Sequence, residues 1–351
     1  MKIAVDKNSW QVAKNDGNEY IYVYEDESLQ DLMKTRLECK EPNEVGEVDI
    51  NTTDYMLDCK KKCKITDEDW NVLPPKKDYK IGIIVPNYNY EHTIRKCLES
   101  IFKQTYQNYE IIFIDDMSTD NSVKIVEETY SEFLDTQEDK DKYGKLKIIQ
   151  LKQKRYNGGA RNEGYLHLSE DVDYVYYVDS DDWLYDEYAL ERINYKLQSE
   201  PDVLFLEMAR YKNGNTNICF IPTYKDRYEA IQGWSGSCGK VIKKDLATRQ
   251  ECLYNEGTLK EDRNQHRKIC IYMKDFQILK YPIYVWNQDN LKSVTTIRDN
   301  VVWGTSTIRH YADLKQLYLS VKGKDDKMDE ILETALKRCL NEIKEGGDKQ
   351  W

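Results

Sequence analysis

Apolar runs of strand length alternate with helix-type periods from Tyr79 onward, and this alternation constrains the fold more than any other feature. Runs that are apolar on both faces are typical of parallel strands covered by helices on both sides. The sequence therefore predicts an α/β fold with a mostly parallel, doubly wound sheet. The four runs are KIGIIV (80–85), EIIFI (110–114), KLKIIQL (145–151) and YVYYV (174–178).

Helices are predicted between these strands. After the first strand, apolar residues recur on one helical face, and after the second, Ser118-Thr119-Asp120-Asn121 offers N-caps for a further helix. Asn157-Gly158-Gly159 is predicted as a turn that opens a short helix ending at Leu166. The two apolar faces comprise Ile94, Cys97, Leu98, Ile101 and Phe102, and then Val123, Ile125, Val126 and Tyr130.

The flanking segments differ from this α/β region. Residues 1–78 are predicted as a small α+β extension of unassigned role that ends at the linker around Pro74-Pro75. Residues 79–300 form the main domain, in which strands are expected on both sides of a turn at 212–215. Residues 301–351 are predicted as a helical tail, whose apolar stripe most often marks a packing surface. Its members are Met328, Ile331, Leu332, Ala335, Leu336, Cys339, Leu340 and Ile343.

Composition excludes several classes of protein. The net charge of −11 disfavours nonspecific binding of nucleic acid, which depends on neutralising phosphates. The sequence has no apolar run of about 18 residues, which disfavours a transmembrane helix, and no apolar segment near Met1 that would suggest a signal peptide. The nine cysteines are therefore expected to be reduced thiols, and a cytoplasmic location is predicted.

Polar clusters follow three of the predicted strands. Pro86-Asn87-Tyr88-Asn89 follows the first strand, Asp115-Asp116 ends the second, and Asp179-x-Asp181-Asp182 ends the fourth. Ligands of open α/β sheets bind beyond the carboxyl ends of the strands, and crowded carboxylates are suited to Mg²⁺ or Mn²⁺. The alternative is a solvated turn in which Asp182 caps the next helix.

Three motifs in order resemble the family 2 glycosyltransferases of the GT-A fold. They are IIVPNYNYEHTIRKCLESIFKQTYQNYEIIFIDDMSTDNS, NGGARNEG and YYVDSDDW, and the resemblance covers about residues 80–300. It implies that the nucleotide lies against the first strand, the Asp pair and an arginine. The positions that match are Pro86, Asn87, Tyr88, Asp115, Asp116 and Arg161.

The same resemblance assigns the remaining site. Asp179 is expected near the ribose, and Asp181 on a Mn²⁺ or Mg²⁺ ion that bridges the diphosphate. Glu261 and Asp262 match the general-base position, with Asp262 as the base. The acceptor side is expected at Trp234, Ser235 and Gly236. Asn287 stands where the family has a basic residue, so the phosphate clamp and third metal ligand are left to Lys292, Ser293, Arg298 or His266.

These assignments predict a metal-dependent, inverting glycosyltransferase. It would move a sugar from a nucleotide-diphosphate donor, expected to be a UDP-sugar, to an acceptor hydroxyl. The acceptor classes left open are a glycan, a protein and a modified nucleic-acid base, and a homo-oligomer is possible. Two alternatives stand beside it: a nucleotidyltransferase, and a catalytically inactive module that binds nucleotide-sugars.

Overall fold

The computed structural model describes residues 2–5, 19–22, 77–137, 145–290 and 300–344. Most of the predicted N-terminal extension lies outside these ranges, including Cys59 and Cys63. Within it, Lys2–Val5 (β1) and Glu19–Tyr22 (β2) pair as parallel strands.

The main sheet is built from nine strands in the described residues. The strands are Ile81–Asn87 (β3), Tyr109–Asp115 (β4), Lys145–Gln150 (β5), Tyr174–Tyr177 (β6), Trp183–Leu184 (β7), Val203–Lys212 (β8), Asn215–Phe220 (β9), Lys240–Lys243 (β10) and Phe276–Asn287 (β11). Their spatial order in the sheet is β5-β4-β3-β6-β10-β8-β11-β7, with β9 paired to β8.

Helices connect and cover these strands. They are Ile94–Phe102 (α1), Ser122–Asp135 (α2), Tyr156–Leu166 (α3), Ala189–Lys196 (α4), Arg227–Ala230 (α5), Lys244–Ala247 (α6), Glu261–Tyr272 (α7), Asn300–Val321 (α8) and Asp326–Lys344 (α9). None of the helices in the described ranges combines the length and the apolar character needed to span a bilayer.

The direction of the strands changes across the sheet. The four strands predicted from the apolar runs pair in parallel, as expected. Beyond β6 the sheet is mixed, because β10 runs antiparallel to both β6 and β8 while β8 and β11 are parallel. The tight turn after β8 makes β9 antiparallel to it, as the sequence predicted.

Alternate residues of each central strand enter separate hydrophobic cores on the two faces of the sheet. Ile83 of β3 packs into a core with α1, α2 and α4. Its neighbour Ile84 packs into the other core, with α3, α7, α8 and α9. The five residues predicted as the apolar face of α1 are all buried. Both faces are therefore covered, which confirms the predicted doubly wound arrangement.

The C-terminal helices are part of the second core. Leu314 of α8 and Leu332 of α9 are fully buried in it, and Lys260 forms a 3.0 Å ion pair with Glu342. Only part of the predicted stripe is buried, since Leu340 remains exposed. The helical tail was thus predicted correctly, whereas the boundary at residue 301 stays a prediction.

Two local features also bear on the site. Asn157-Gly158-Gly159 lies inside the first turn of α3 rather than before it. A Cβ atom on Gly158 would lie 2.8 Å from the carbonyl oxygen of Asn255, so only glycine allows this close approach. The six cysteines in the described ranges are free thiols, as predicted.

Candidate active site

The Asp179–Asp182 loop is fastened to strands on either side. Ser180 donates a 2.6 Å hydrogen bond to the carbonyl oxygen of Pro86, which ties the loop to β3. Asp182 accepts hydrogen bonds from the Tyr284 hydroxyl at 2.6 Å and from the backbone N–H of Asn287 at 2.7 Å. Asp182 therefore joins the loop to β11 and does not cap a helix.

Asp181 is a buried carboxylate in a site of high negative charge. Its side chain is 8% exposed and accepts a 2.8 Å hydrogen bond from the amide of Asn290. Burial, and then the neighbouring Asp179 carboxylate, raises the pKa of Asp181 to about 6. A cation at this position would remove that destabilisation of the charged form.

Arg161 connects the two carboxylate motifs. Its guanidinium donates to Asp179 at 2.7 Å and to Glu261 at 3.0 Å, and the residue is 3% exposed. Asp179 and Glu261 are 82 residues apart in the chain, yet they share this one cation. The arginine thus holds the start of α7 beside the Asp179–Asp182 loop.

The adjacent carboxylates at the start of α7 have different environments. Glu261 is buried against Arg161, and burial raises its pKa to about 7 although the guanidinium opposes the rise. Asp262 is half-buried and makes no hydrogen bond or ion pair within the described ranges. Of the two carboxylates, Asp262 is therefore the more accessible.

The residues predicted to contact the nucleotide surround the ends of β3 and β4. Asp115 accepts from the side-chain amide of Asn87 and from the backbone N–H of Ser118, both at 3.0 Å. Asp116 accepts from the backbone N–H groups of Arg155 at 2.7 Å and Tyr156 at 2.8 Å. Both aspartates thus organise the loops around this cleft through their own carboxylates.

An exposed aromatic ring lies at the mouth of this cleft. Tyr88 is 43% exposed, and the ammonium of Lys154 lies 2.6 Å from the centre of its ring. Lys154 also forms a 3.2 Å ion pair with Asp116. Neither the cation nor its stacking on Tyr88 was predicted from the sequence, because Lys154 follows β5 without a recognisable motif.

Three residues beside these strand ends have left-handed backbone conformations. Asn89, Met117 and Tyr156 have φ angles of 59°, 65° and 59°. Such conformations cost about 1–3 kcal/mol in residues other than glycine and occur preferentially at functional sites. Their concentration at one edge supports a ligand cleft there.

The predicted acceptor segment precedes β10 in the chain. The Trp234 ring packs against Phe220 and covers the backbone at Gly236, where a Cβ atom would lie 2.1 Å from the ring. Lys240 lies beneath this segment and donates hydrogen bonds to the carbonyl oxygens of Ser235 at 3.0 Å and Gly236 at 2.7 Å. The segment is therefore held in place by a buried cation that sequence reasoning had not singled out.

Comparisons with known proteins agree with this geometry. Residues 82–237 match the model of Glycosyl transferase family 2, which covers β3, β4 and the Asp179–Asp182 loop. This segment, which is less than half of the chain, is therefore similar to glycosyltransferase family 2. Glu261 and Asp262 lie beyond the matched segment, so their place in the site comes from the geometry of Arg161 alone.

Two curated relatives each match about a third of this chain. Glycosyltransferase GlyA of Streptococcus pneumoniae is 41% identical over 113 residues, which are 32% of this chain and 14% of that protein. The poly(ribitol-phosphate) beta-glucosyltransferase of Bacillus spizizenii is 32% identical over 126 residues, 35% of this chain and 18% of that protein. The aligned segments thus span less than a fifth of either relative.

A solved structure resembles a larger part of the chain. S. aureus TarS 1–349 in complex with UDP-GlcNAc superposes with a TM-score of 0.58 at 21% identity. The match covers 75% of this chain and 73% of that one, and it supports the GT-A fold.

The carboxylates of the family 2 domain are suited to a divalent cation. Asp179, Asp182 and Cys238 have potential ligand atoms within 4.8 Å of one another. Burial raises the pKa of the Cys238 thiol well above its usual range, so it stays protonated, and both Asp182 oxygens already accept hydrogen bonds. The side chains of Asp179 and Asp181 each accept one side-chain hydrogen bond, from Arg161 and Asn290, and both stay candidate oxygen ligands for Mg²⁺ or Mn²⁺.

Only some of the remaining candidates for the phosphate clamp lie within the described residues. Lys292, Ser293 and Arg298 lie outside the described residues. His266 is fully buried and bonds to the carbonyl oxygen of Ala230 at 2.8 Å, so it belongs to the core and not to the ligand cleft. Asn287 donates to the carbonyl oxygen of Asp181 at 3.0 Å and shapes the loop instead of providing charge.

Proposed function

We propose that this chain is a metal-dependent, inverting glycosyltransferase that uses a nucleotide-diphosphate sugar. The observation that carries the proposal is the bridge from Asp179 through Arg161 to Glu261. It holds a donor-side carboxylate and the start of α7 in one buried ion-pair network. The unpaired carboxylate of Asp262 then lies next to the donor cleft.

In this proposal, Asp262 accepts the proton of the acceptor hydroxyl as its oxygen attacks the anomeric carbon. The new C–O bond forms while the bond from that carbon to the diphosphate breaks, so the anomeric configuration inverts. Asp181 and Asp179 would hold a divalent cation, which would supply positive charge to stabilise the departing diphosphate. Arg161 and Glu261 position the acceptor-side helix and stay paired throughout.

The nucleotide is proposed to lie against the ends of β3 and β4, beside Tyr88 and the loop held by Asp115 and Asp116. A UDP-sugar is the proposed donor, which the UDP-GlcNAc complex of S. aureus TarS supports by its shared fold. The acceptor is proposed to be a hydroxyl of a polymer, since the Bacillus spizizenii relative is a poly(ribitol-phosphate) beta-glucosyltransferase.

The first test is a donor panel. The purified chain with Mn²⁺ or Mg²⁺ is incubated with UDP-, GDP- and CDP-sugars, and nucleotide release and calorimetric binding are measured. At least one donor should bind and be turned over. If no donor is turned over and no nucleotide binds, the proposal is wrong. Nucleotide binding without turnover would favour an inactive binding module.

The second test separates the two carboxylates. Asp262→Asn removes the proton acceptor, so turnover should fall about 10²–10⁴-fold while nucleotide affinity is kept. Asp181→Asn should weaken metal-dependent nucleotide binding and turnover together. Asp245→Asn, on the exposed surface of α6, is the matched control and should leave both unchanged. Near wild-type turnover in Asp262→Asn would show that the base is another residue.

A further inference from the structure

A cavity lies at the end of the main sheet opposite the Asp179–Asp182 loop. β6 and β8 both run antiparallel to β10, so they point the same way, and the loop follows the carboxyl end of β6. The cavity is lined by Phe276, which pairs with Val203 at the amino ends of β11 and β8. It is therefore separate from the candidate active site.

This cavity has the size and the wall of a small-molecule site. Its volume is about 700 Å³, and ligand pockets typically have volumes of roughly 300–1,000 Å³. The apolar lining residues are Tyr224, Met273, Phe276 and Ile278. Tyr224 and Phe276 both pack edge-on against the buried ring of Phe205, with centre-to-centre distances of 5.1 and 5.5 Å. The Tyr224 hydroxyl also accepts a 3.1 Å hydrogen bond from the backbone N–H of Trp234, so the aromatic wall is fixed in place.

The lining is basic although the chain as a whole is acidic. Five of the lining residues are basic and two are acidic, in a chain with a net charge of −11. The basic residues are Lys196, Lys225, Arg227, Lys274 and Lys280. Lys196 is 2% exposed, so one positive charge lies in the buried part of the wall. A concave surface with an excess of positive charge concentrates anions.

The two acidic residues of the lining are engaged by the backbone. Asp226 accepts hydrogen bonds from the N–H groups of Tyr228 at 2.9 Å and Glu229 at 2.8 Å, and thereby caps α5. Asp275 accepts the N–H of Asp202 at 2.8 Å. These carboxylates therefore serve the local fold.

Three lysines of the lining have no acidic partner. Arg227 forms an ion pair with Asp325. Lys225, Lys274 and Lys280 form no ion pair within the part of the chain that the structure describes, and all three are exposed. Three ammonium groups are thus available to one anionic ligand.

We propose that this cavity binds a small organic phosphate. Its phosphate group contacts the three exposed lysines, which bind phosphate as point charges. Its organic body packs on Tyr224 and Phe276, a contact that a bare phosphate ion does not make. The proposal does not rest on the proposed function, because the cavity shares no residue with the candidate active site.

Phenyl phosphate, phenol and inorganic phosphate are matched probes for this site. Met273 is a buried residue of the lining, so its methyl signal in ¹³C-methionine-labelled protein reports binding, and Met273→Leu identifies that signal. Phenyl phosphate should shift the signal saturably and leave that of Met208, in the other core, unchanged. Phenol and inorganic phosphate should each bind at least about tenfold more weakly, because each makes only one kind of contact.

Charge dependence is the second measurement. Lys274→Gln combined with Lys280→Gln should weaken phenyl phosphate binding about tenfold or more, because two positive charges are lost. Lys124→Gln, on the exposed surface of α2, is the matched control and should bind like the wild type. Added NaCl should weaken binding to the wild-type protein, a test that needs no variant to fold.

Four results would contradict the proposal. The first is a Met273 signal that phenyl phosphate does not shift. The second is binding of phenol or of inorganic phosphate as tight as that of phenyl phosphate. The third is an unchanged affinity in the folded double variant, and the fourth is binding that does not depend on salt.

Discussion

Arg161 has the most demanding environment of the residues in the site. A buried guanidinium is stable only when its charge is neutralised, and here the neutralising carboxylates come from two distant motifs. The resemblance to the family implied that Arg161 lies beside the nucleotide. Its ion pairs with Asp179 and Glu261 make it part of the internal framework of the site, and its contact with the nucleotide stays a prediction.

Removing this guanidinium should destabilise the fold. Arg161→Met leaves Glu261 buried without a cation and Asp179 beside two other carboxylates, which should lower the free energy of unfolding by about 3 kcal/mol. Urea unfolding measures the change. Arg95→Met, which breaks the exposed pair with Glu132, is the control and should change the stability little. Equal shifts for the two variants would contradict a framework role.

Which site residues were predictable depended on how far apart their partners lie in the chain. The Asp179–Asp182 loop was identified because its carboxylates are close together after an apolar strand. Lys240 and Asn290 were missed. Lys240 lies in a short strand bounded by lysines, and Asn290 donates a hydrogen bond to Asp181, which lies 109 residues earlier in the chain. A local sequence pattern does not reveal a partner that is so distant in the chain.

Among the elements, α3 approaches the start of α7 closely. Its first turn approaches the chain at Asn255 and Glu261 so tightly that position 158 has no room for a side chain. The glycine cluster was read as a turn because glycine disfavours helices, but the packing of α3 against α7 outweighs that preference.

Gly158→Ala should therefore be destabilising although alanine favours helices. Its Cβ atom would meet a backbone oxygen at 2.8 Å and the Glu261 side chain at 3.1 Å. We expect a loss of about 1–3 kcal/mol in unfolding experiments, and reduced turnover because α7 must shift. Gly304→Ala, with open space around it in α8, should gain up to about 1 kcal/mol. If both variants change the free energy of unfolding in the same way, α3 can move to accommodate the added methyl group.

The last strands were harder to predict than the first four. In β11, the pairing with β8 shifts register on both sides of Pro282, so the alternating pattern is interrupted. Proline has no N–H group and is tolerated in a sheet mainly at such irregularities. The segment was therefore recognised only by its resemblance to the family and not as a strand.

At the scale of the whole molecule, the C-terminal helices complete the second core. Leu332 of α9 is fully buried there, whereas Leu340 on the same helix is 37% exposed. Ion pairs from Glu342 to Lys260 and Arg263 also attach α9 to the beginning of α7. The C-terminal helix α9 is thus attached by ion pairs to the beginning of the helix that carries Glu261 and Asp262.

Leu332→Ala should lower the free energy of unfolding of the chain by about 2–5 kcal/mol, the range for buried leucines. Chemical unfolding followed by tryptophan fluorescence and by circular dichroism should report one shared transition. Leu340→Ala should change stability by less than about 0.5 kcal/mol. If Leu332→Ala is equally neutral, α9 does not contribute to the core.

The attachment of Asp182 to β11 has a consequence for when the site can form. Its partners Tyr284 and Asn287 follow it by 102 and 105 residues. A ribosome adding about 5–20 residues per second needs roughly 5–20 s to synthesise that interval. During this time the parallel strands β3 to β6 of the nascent chain can pair with one another. The Asp179–Asp182 loop can make its hydrogen bonds to β11 only after that strand has been synthesised. Competence for catalysis is thus acquired late in synthesis, after most of the sheet has been made.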